Sequence, residues 1–91
     1  MNNFVYILRS LDKQHWYIGT TSNLETRVKH HNSGKTRSTR PYKPWQMVYS
    51  EDFQTKSEAY KREYFLKSPQ GYLEYLNIKK LIMERSDRAR P

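Results

Sequence analysis

Five side chains in this sequence have the chemistry to hydrolyse a phosphodiester bond together. They are two phenols, a guanidinium, an imidazole and a carboxylate: Tyr6, Tyr17, Arg27, His31 and Glu63. A guanidinium can grip a phosphate and stabilise its developing charge, and a phenol or an imidazole can relay a proton from the attacking water. One carboxylate, with phosphate oxygens beside it, can hold a single Mg²⁺ that keeps several waters. A two-metal site needs a carboxylate cluster, so this set indicates a one-metal mechanism.

Two short strands are predicted to carry the phenols. Residues 4–8 and 15–19 are rich in aromatic and β-branched side chains, and residues 10–13 form a turn between them. A hairpin with that loop pairs Tyr6 with Tyr17, and facing residues of an antiparallel pair point to the same side of the sheet. The other side then carries the core residues Val5, Ile7, Trp16 and Ile18.

A first helix is predicted over residues 23–33. Ser22 with Glu25 three residues later is a capping-box pattern, and Gly34 is a typical stop after a helix. Arg27 and His31 are four residues apart, so they share a face of this helix. The apolar side next to them packs on the sheet through Leu24 and Val28. We therefore expect Arg27 and His31 at the edge of that contact, within reach of the phenols.

The second half of the chain predicts one more strand and two more helices. The strand covers residues 45–49, and Thr55 with Glu58 opens a helix that ends near Lys67. This helix carries Glu63, with Ala59 and Leu66 as its buried neighbours. Ser68 and Pro69 begin the last helix. Its apolar face is predicted from Leu73, Leu76, Lys80 and Met83, broadened by Leu81 and Ile82.

The order strand, strand, helix, strand, helix, helix predicts an α+β fold with a small three-stranded antiparallel sheet flanked by helices. The 91 residues allow one domain, which we place at residues 1–84. Residues 85–91 carry three arginines and are expected to form a frayed basic tail.

The loop at residues 35–44 is a predicted nucleic-acid contact. Cations and an aromatic ring alternate there with hydroxyls, and phosphates and exposed bases accept such contacts. The residues concerned are Lys35, Arg37, Arg40, Tyr42 and Lys43. The alternative is that these cations only keep a surface loop soluble.

Charge and composition narrow the class of protein. The formal net charge is +8, which favours a polyanionic partner, with nucleic acid ahead of an anionic membrane surface and of a merely soluble basic protein. The absence of cysteine excludes disulfides, a thiolate nucleophile and cysteine-based zinc sites. No signal peptide and no apolar run long enough to span a bilayer are visible, so we expect a cytoplasmic protein with no membrane partner.

Together these motifs resemble the GIY-YIG nuclease superfamily. The resemblance rests on Val5-Tyr6-Ile7, Tyr17-Ile18-Gly19, Arg27 with His31, and a helical Glu63, and it covers residues 4–67. It is closest to the short single-domain bacterial members that are similar to the catalytic domain of the excision-repair incision subunit. It implies cleavage of duplex, branched or damaged DNA, one Mg²⁺ or Mn²⁺ on Glu63, and no small-molecule cofactor.

The roles within the site are expected as follows. Tyr6 takes the proton from water, Tyr17 orients water or phosphate, and His31 assists as a proton acceptor or a phosphate ligand. Arg27 and the metal should lower the phenol pKa, while burial opposes them. Which phenol or imidazole acts as base varies within the family.

Three positions depart from the family pattern. Val5 replaces the first glycine, Thr20 stands where some relatives have a lysine, and Tyr75 stands where some have an asparagine, with Asn77 out of register. Binding without catalysis by the same fold is the alternative function, and a basic RNA-associated protein is a more distant one. The phenols would then only pack, and His31 and Glu63 would be surface charges.

Overall fold

The computed structural model describes residues 2–12 and 14–88, and it has the predicted α+β fold. Three strands form one antiparallel sheet in the order β2-β1-β3. The strands are β1 (Asn3–Ser10), β2 (Trp16–Thr21) and β3 (Trp45–Phe53), and the helices are α1 (Leu24–Asn32), α2 (Lys56–Lys67) and α3 (Tyr72–Arg88). Short 3₁₀ turns cover Arg40–Tyr42 and Pro69–Gly71. The order ββαβαα is confirmed, and no described helix is long and apolar enough to cross a membrane.

The hairpin register differs from the prediction by two residues. Tyr6 faces Gly19 and Tyr17 faces Leu8, so the two phenols do not face each other directly. The reason is that the four-residue loop lies one residue further along the chain, because β1 continues to Ser10, whose amide donates to the carbonyl of His15 at 2.9 Å. A slip of two residues keeps every side chain on its face, since side chains alternate with a period of two. Both phenols therefore remain on one side of the sheet.

Each side of the sheet has its own apolar cluster. The predicted core residues Val5, Ile7 and Ile18 are buried against α2 and α3, with Trp16 packed beside them, as the sequence indicated. Tyr6, Leu8 and Trp45 form the other cluster, covered by α1 through Leu24 and Val28. Tyr6 thus sits inside the protein rather than on an open face.

The starts of α1 and α2 and the end of β3 can be compared with the predicted ones. Asn23, not Ser22, caps α1, and its side chain accepts the amide of Thr26 at 3.0 Å. The capping box of Thr55 and Glu58 on α2 is confirmed. Strand β3 ends at Phe53 rather than near residue 49, because residues 50–53, three of them polar, still pair with the first half of β1.

The buried face of α3 is only partly the predicted one. Ile78 and Ile82 are buried, whereas Leu73 is 73% exposed and Leu81 is 56% exposed. Leu76 and Met83 are half-buried and Lys80 is exposed. The face that packs on the sheet is therefore centred on Ile78 and Ile82 rather than on the stripe of residues 73, 76, 80 and 83. Helix α3 includes Arg85 to Arg88, and residues 89–91 of the expected frayed tail lie outside the described residues.

Candidate active site

Tyr6 is the centre of a buried polar cluster between β1 and α1. Its hydroxyl lies 2.8 Å from Nε2 of His31 and accepts a hydrogen bond of 3.3 Å from Nε of Arg27. The four-residue spacing on α1 thus brings Arg27 and His31 to the same phenol, as predicted. Tyr17 completes the group, with its ring centroid 6.1 Å from that of Tyr6 and 4.8 Å from that of His31.

His31 is fully buried and held from both ring nitrogens. Its Nδ1 lies 2.8 Å from Oγ1 of Thr39, and that hydroxyl in turn donates to the carbonyl of Thr36 at 3.3 Å. Because the Thr39 proton is directed to Thr36, the hydroxyl accepts from Nδ1–H of His31. Nε2 is then the acceptor for the Tyr6 hydroxyl, since a neutral imidazole has one donor and one acceptor. The expectation of His31 near the edge of the contact is corrected to a buried position.

Thr39 is the site residue that sequence reasoning missed. It is buried in the basic loop, and its carbonyl accepts from the indole Nε1 of Trp45 at 2.9 Å. Asn32, at the end of α1, also exchanges hydrogen bonds with the backbone of Trp45. Only the folded chain brings Thr39 to His31, and a threonine among other loop hydroxyls carries no local sign of this role.

Burial keeps the central pair neutral. It raises the pKa of Tyr6 to about 12, outweighing the hydrogen bond from Arg27 that acts to lower it. Arg27 acts to lower the pKa of Tyr6, as expected, but the effect of burial is larger and the net change is a rise. Burial, with the charges of Arg27 and His30, lowers the pKa of His31 to about 4. The hydrogen bond to Tyr6 raises the pKa of Arg27, which stays charged.

Gly19 leaves room for both phenols. A Cβ at this position would lie 2.8 Å from the hydroxyl oxygen of Tyr6 and 3.0 Å from Cε2 of Tyr17. Because Tyr6 faces Gly19 across the two strands, the end of the phenol ring occupies the space a side chain would take. The glycine of the second motif is thus a packing requirement of the cluster.

Glu63 lies on α2 with its side chain 20% exposed and its Oε2 2.5 Å from Nζ of Lys67. This is the surface charge pattern that was the alternative interpretation of Glu63. Its predicted neighbours Ala59 and Leu66 are buried, and its negative charge is close enough to raise the pKa of Tyr6.

Glu63 is the one carboxylate among the five predicted catalytic residues. Among residues 2–12 and 14–88, no group of three His, Cys, Asp or Glu side chains is placed to hold a metal. A protein-only cage is therefore absent from this part of the chain. Glu63 alone fits a cation such as Mg²⁺, which keeps several waters and binds substrate phosphate. Lys67 would have to release the carboxylate.

The predicted contact residues of the basic loop are exposed or partly engaged. Nε of Arg40 donates to the carbonyl of Gly34 at 2.7 Å, and the ring of Tyr42 stacks on His15 at 3.9 Å between centroids. Gly34 has a φ of 84°, which permits the turn out of α1. Lys35, Arg37 and Lys43 are exposed. The loop cations are thus available to a polyanion, while Thr39 anchors the loop beneath them.

A polar cleft of about 370 Å³ opens beside the cluster. Arg27 belongs to both, since it lines the cleft and donates to Tyr6. The other lining residues come from the start of β1, the end of β2 with Ser22 after it, and the first half of α2: Asn3, Thr20, Thr21, Ser22, Lys56, Ala59 and Tyr60.

The region that contains the candidate site is also the region that matches known proteins. The family described as GIY-YIG catalytic domain matches residues 2–75. UPF0213 protein YazA of Bacillus subtilis is 40% identical over 67 residues, covering 72% of this chain and 67% of that protein. UPF0213 protein CPE1444 of Clostridium perfringens is 47% identical over 66 residues, covering 71% of this chain and 70% of that protein.

A solved structure is also similar. The solution NMR structure of the UPF0213 protein BH0048 from Bacillus halodurans is 36% identical to this chain, with a TM-score of 0.49. It covers 87% of this chain and 86% of its own. The names of these relatives state neither a reaction nor a substrate.

Proposed function

We propose that this chain, which belongs to the GIY-YIG catalytic-domain family, is a metal-dependent endonuclease that hydrolyses phosphodiester bonds of DNA. Membership indicates the nuclease family and, in general, a nucleic-acid substrate. The observation that carries the finer proposal is the hydrogen-bonded chain from Arg27 through Tyr6 and His31 to Thr39. Such a chain joins a phosphate-binding cation to a phenol and to a proton acceptor. Branched and damaged duplexes, as in DNA repair, are the substrates we would try first.

Tyr6 relays the proton rather than acting as a preformed phenolate. With a pKa of about 12, the phenol keeps its proton at neutral pH. It accepts a proton from water only while its own passes to Nε2 of His31, 2.8 Å away. The water oxygen bonds to phosphorus, and the bond to the leaving oxygen breaks. That oxygen takes its proton from solvent.

His31 is the proton acceptor in this scheme. Its pKa of about 4 leaves the imidazole neutral at working pH, with the Nε2 lone pair directed at Tyr6. We do not assign it as a phosphate ligand, because both of its ring nitrogens are already hydrogen-bonded, to Tyr6 and to Thr39. Arg27, which stays charged, holds the scissile phosphate, and Tyr17 orients water or phosphate beside it.

Glu63 is the proposed ligand of one Mg²⁺ or Mn²⁺. When bound, the ion would stabilise charge on the leaving oxygen. The basic-loop residues Lys35, Arg37, Arg40, Tyr42 and Lys43 are proposed contacts to DNA outside the scissile position.

The test is cleavage of labelled duplex, branched and single-stranded DNA, with and without Mn²⁺ or Mg²⁺. Glu63→Gln should abolish cleavage while leaving metal-free DNA binding and the melting temperature unchanged. Glu84→Gln removes an exposed carboxylate from α3 and is the matched control, expected to cut like the wild type. Cleavage by Glu63→Gln at the wild-type rate removes Glu63 from the mechanism. Binding with no cleavage by the wild type supports the alternative, a catalytically inactive binding module.

A further inference from the structure

The polar cleft beside Arg27 has the lining of an anion site. Its side-chain groups include one guanidinium, one ammonium, three aliphatic hydroxyls, one phenol and an amide, and no carboxylate is among them. In the described part of the chain, neither Arg27 nor Lys56 lies within 4.0 Å of a carboxylate oxygen. Two cations with no acidic partner on one cleft wall favour an anionic occupant.

Lys56 is held in position by its own helix. Its Nζ lies 5.9 Å from the ring centroid of Tyr60, one turn further along α2, within the range of a cation–π contact. The Thr55–Glu58 capping box fixes the helix start from which Lys56 projects. The ammonium is thus placed on the cleft wall by packing and by the helix start together.

The cleft and the catalytic cluster share one residue. Arg27 donates to Tyr6 through Nε and lines the cleft with the rest of its side chain. The cleft therefore adjoins the place where Arg27 would hold the scissile phosphate, within reach of a neighbouring phosphate of the same strand. The volume of about 370 Å³ is within the usual range for a small-ligand site.

We propose that the cleft is a second phosphate subsite, which binds the phosphate next to the scissile one on the same strand. The inference rests on the proposed nuclease function. Lys56 supplies the charge, and the hydroxyls of Thr20 and Ser22 donate to phosphate oxygens. The subsite fixes which bond lies over Tyr6, because it holds the strand on one side of the reacting phosphorus.

The test couples one lysine to one phosphate. DNA oligonucleotides in which a single phosphate is replaced by a neutral methylphosphonate, at each position in turn, are titrated without metal against the wild type and Lys56→Gln. Lys61→Gln is the control, since Lys61 is exposed on the same helix, about 140° around the axis, and does not line the cleft. Lys56→Arg retains the charge and should behave like the wild type.

Removing the Lys56 charge should weaken binding about 5- to 10-fold and reduce the slope of log affinity against log salt by about 0.9 on duplex. A neutral linkage next to the scissile position should weaken the wild type by a similar factor but Lys56→Gln by less than about twofold. Lys61→Gln should keep the full sensitivity to that linkage. The melting temperature of each variant checks that the fold is intact.

Two outcomes overturn the subsite. In the first, Lys56→Gln and each neutral linkage weaken binding by independent factors, so that no phosphate is coupled to Lys56. In the second, the coupling falls on the scissile phosphate itself. If the wild type still cuts DNA in either case, the proposed function stands without the subsite. If coupling to one phosphate is found and the wild type cuts no substrate, Lys56 binds a DNA phosphate in the cleft but the nuclease proposal fails, and with it the place of that phosphate next to a scissile bond.

Discussion

His31→Gln separates a proton relay from a phenolate base. The glutamine amide can still accept from the Tyr6 hydroxyl and donate to Thr39, but it cannot take up a proton. Tyr6 must then ionise before it can act on water. With a pKa of about 12, roughly one phenol in 10⁴ is ionised at pH 8, a cost of roughly 5.5 kcal/mol. The expected loss in cleavage rate at pH 7–8 is about 10²–10⁴-fold, the usual effect of removing acid–base catalysis.

The pH dependence is the sharper measurement. Wild-type His31 is neutral above pH 6, because its pKa is about 4, so the relay itself does not change with pH between 6.5 and 9. The His31→Gln rate should rise about tenfold per pH unit in that window, following the phenolate fraction. Any other ionisation that affects both proteins alike cancels in their ratio. The ratio of wild-type to variant rates should therefore fall about tenfold per unit.

Single-turnover cleavage at saturating protein and metal gives the two rates without product release. Tyr6→Phe is the companion variant, which keeps the ring and removes the hydroxyl. It should lose as much activity as His31→Gln but regain none at high pH. A rate ratio that does not change with pH would falsify the relay, and so would a His31→Gln protein as active as the wild type.

Three further predictions follow from the same contacts. Gly19→Ala places a methyl group 2.8 Å from the Tyr6 hydroxyl oxygen, so it should cost about 1–3 kcal/mol in urea unfolding and reduce cleavage; an active, equally stable variant contradicts the packing argument. As pH falls from 7 to 5, the unfolded chain, with an ordinary histidine pKa, takes up a proton that buried His31 refuses, so the free energy of unfolding should fall by about 2 kcal/mol, and His31→Gln should remove this fall. Neutralising the loop cations should flatten the salt dependence of DNA binding by about 0.9 per lost phosphate contact, and an unchanged slope would leave the loop a solubilising segment; the variants are Arg37→Ala, Arg40→Ala and Lys43→Ala.

The parts of the fold that depend on local sequence were predictable. Thr55 and Glu58 determine the start of α2 through hydrogen bonds within four residues, and the structure has that capping box. The face shared by Arg27 and His31 follows from helical geometry alone. The hairpin register depended on the exact position of the loop, which no local signal specifies, and it was wrong by two residues. The site survived that error because a slip of two does not change which side of the sheet a residue faces.

The parts that depend on tertiary contacts were not predictable. The α3 face was predicted only in part, because apolar residues occur all around that helix and packing on the sheet selects the face of Ile78 and Ile82. Thr39 reaches His31 only through the path of the loop, which Trp45 and Asn32 anchor. No sequence pattern pointed to Lys56, because its proposed role comes from a cleft that it lines together with Arg27.

The charges of this protein are divided between two tasks. The net charge of +8 and the exposed loop cations favour binding to a polyanion, and they act at the surface. The proton-transfer pair is neutral, because the same burial that raises the pKa of Tyr6 to about 12 lowers that of His31 to about 4. A neutral phenol and a neutral imidazole can exchange a proton without a permanent charge in the interior, which would be costly to bury. Arg27 connects the two tasks, since it stays charged and contacts both the Tyr6 hydroxyl and the cleft that we assign to phosphate.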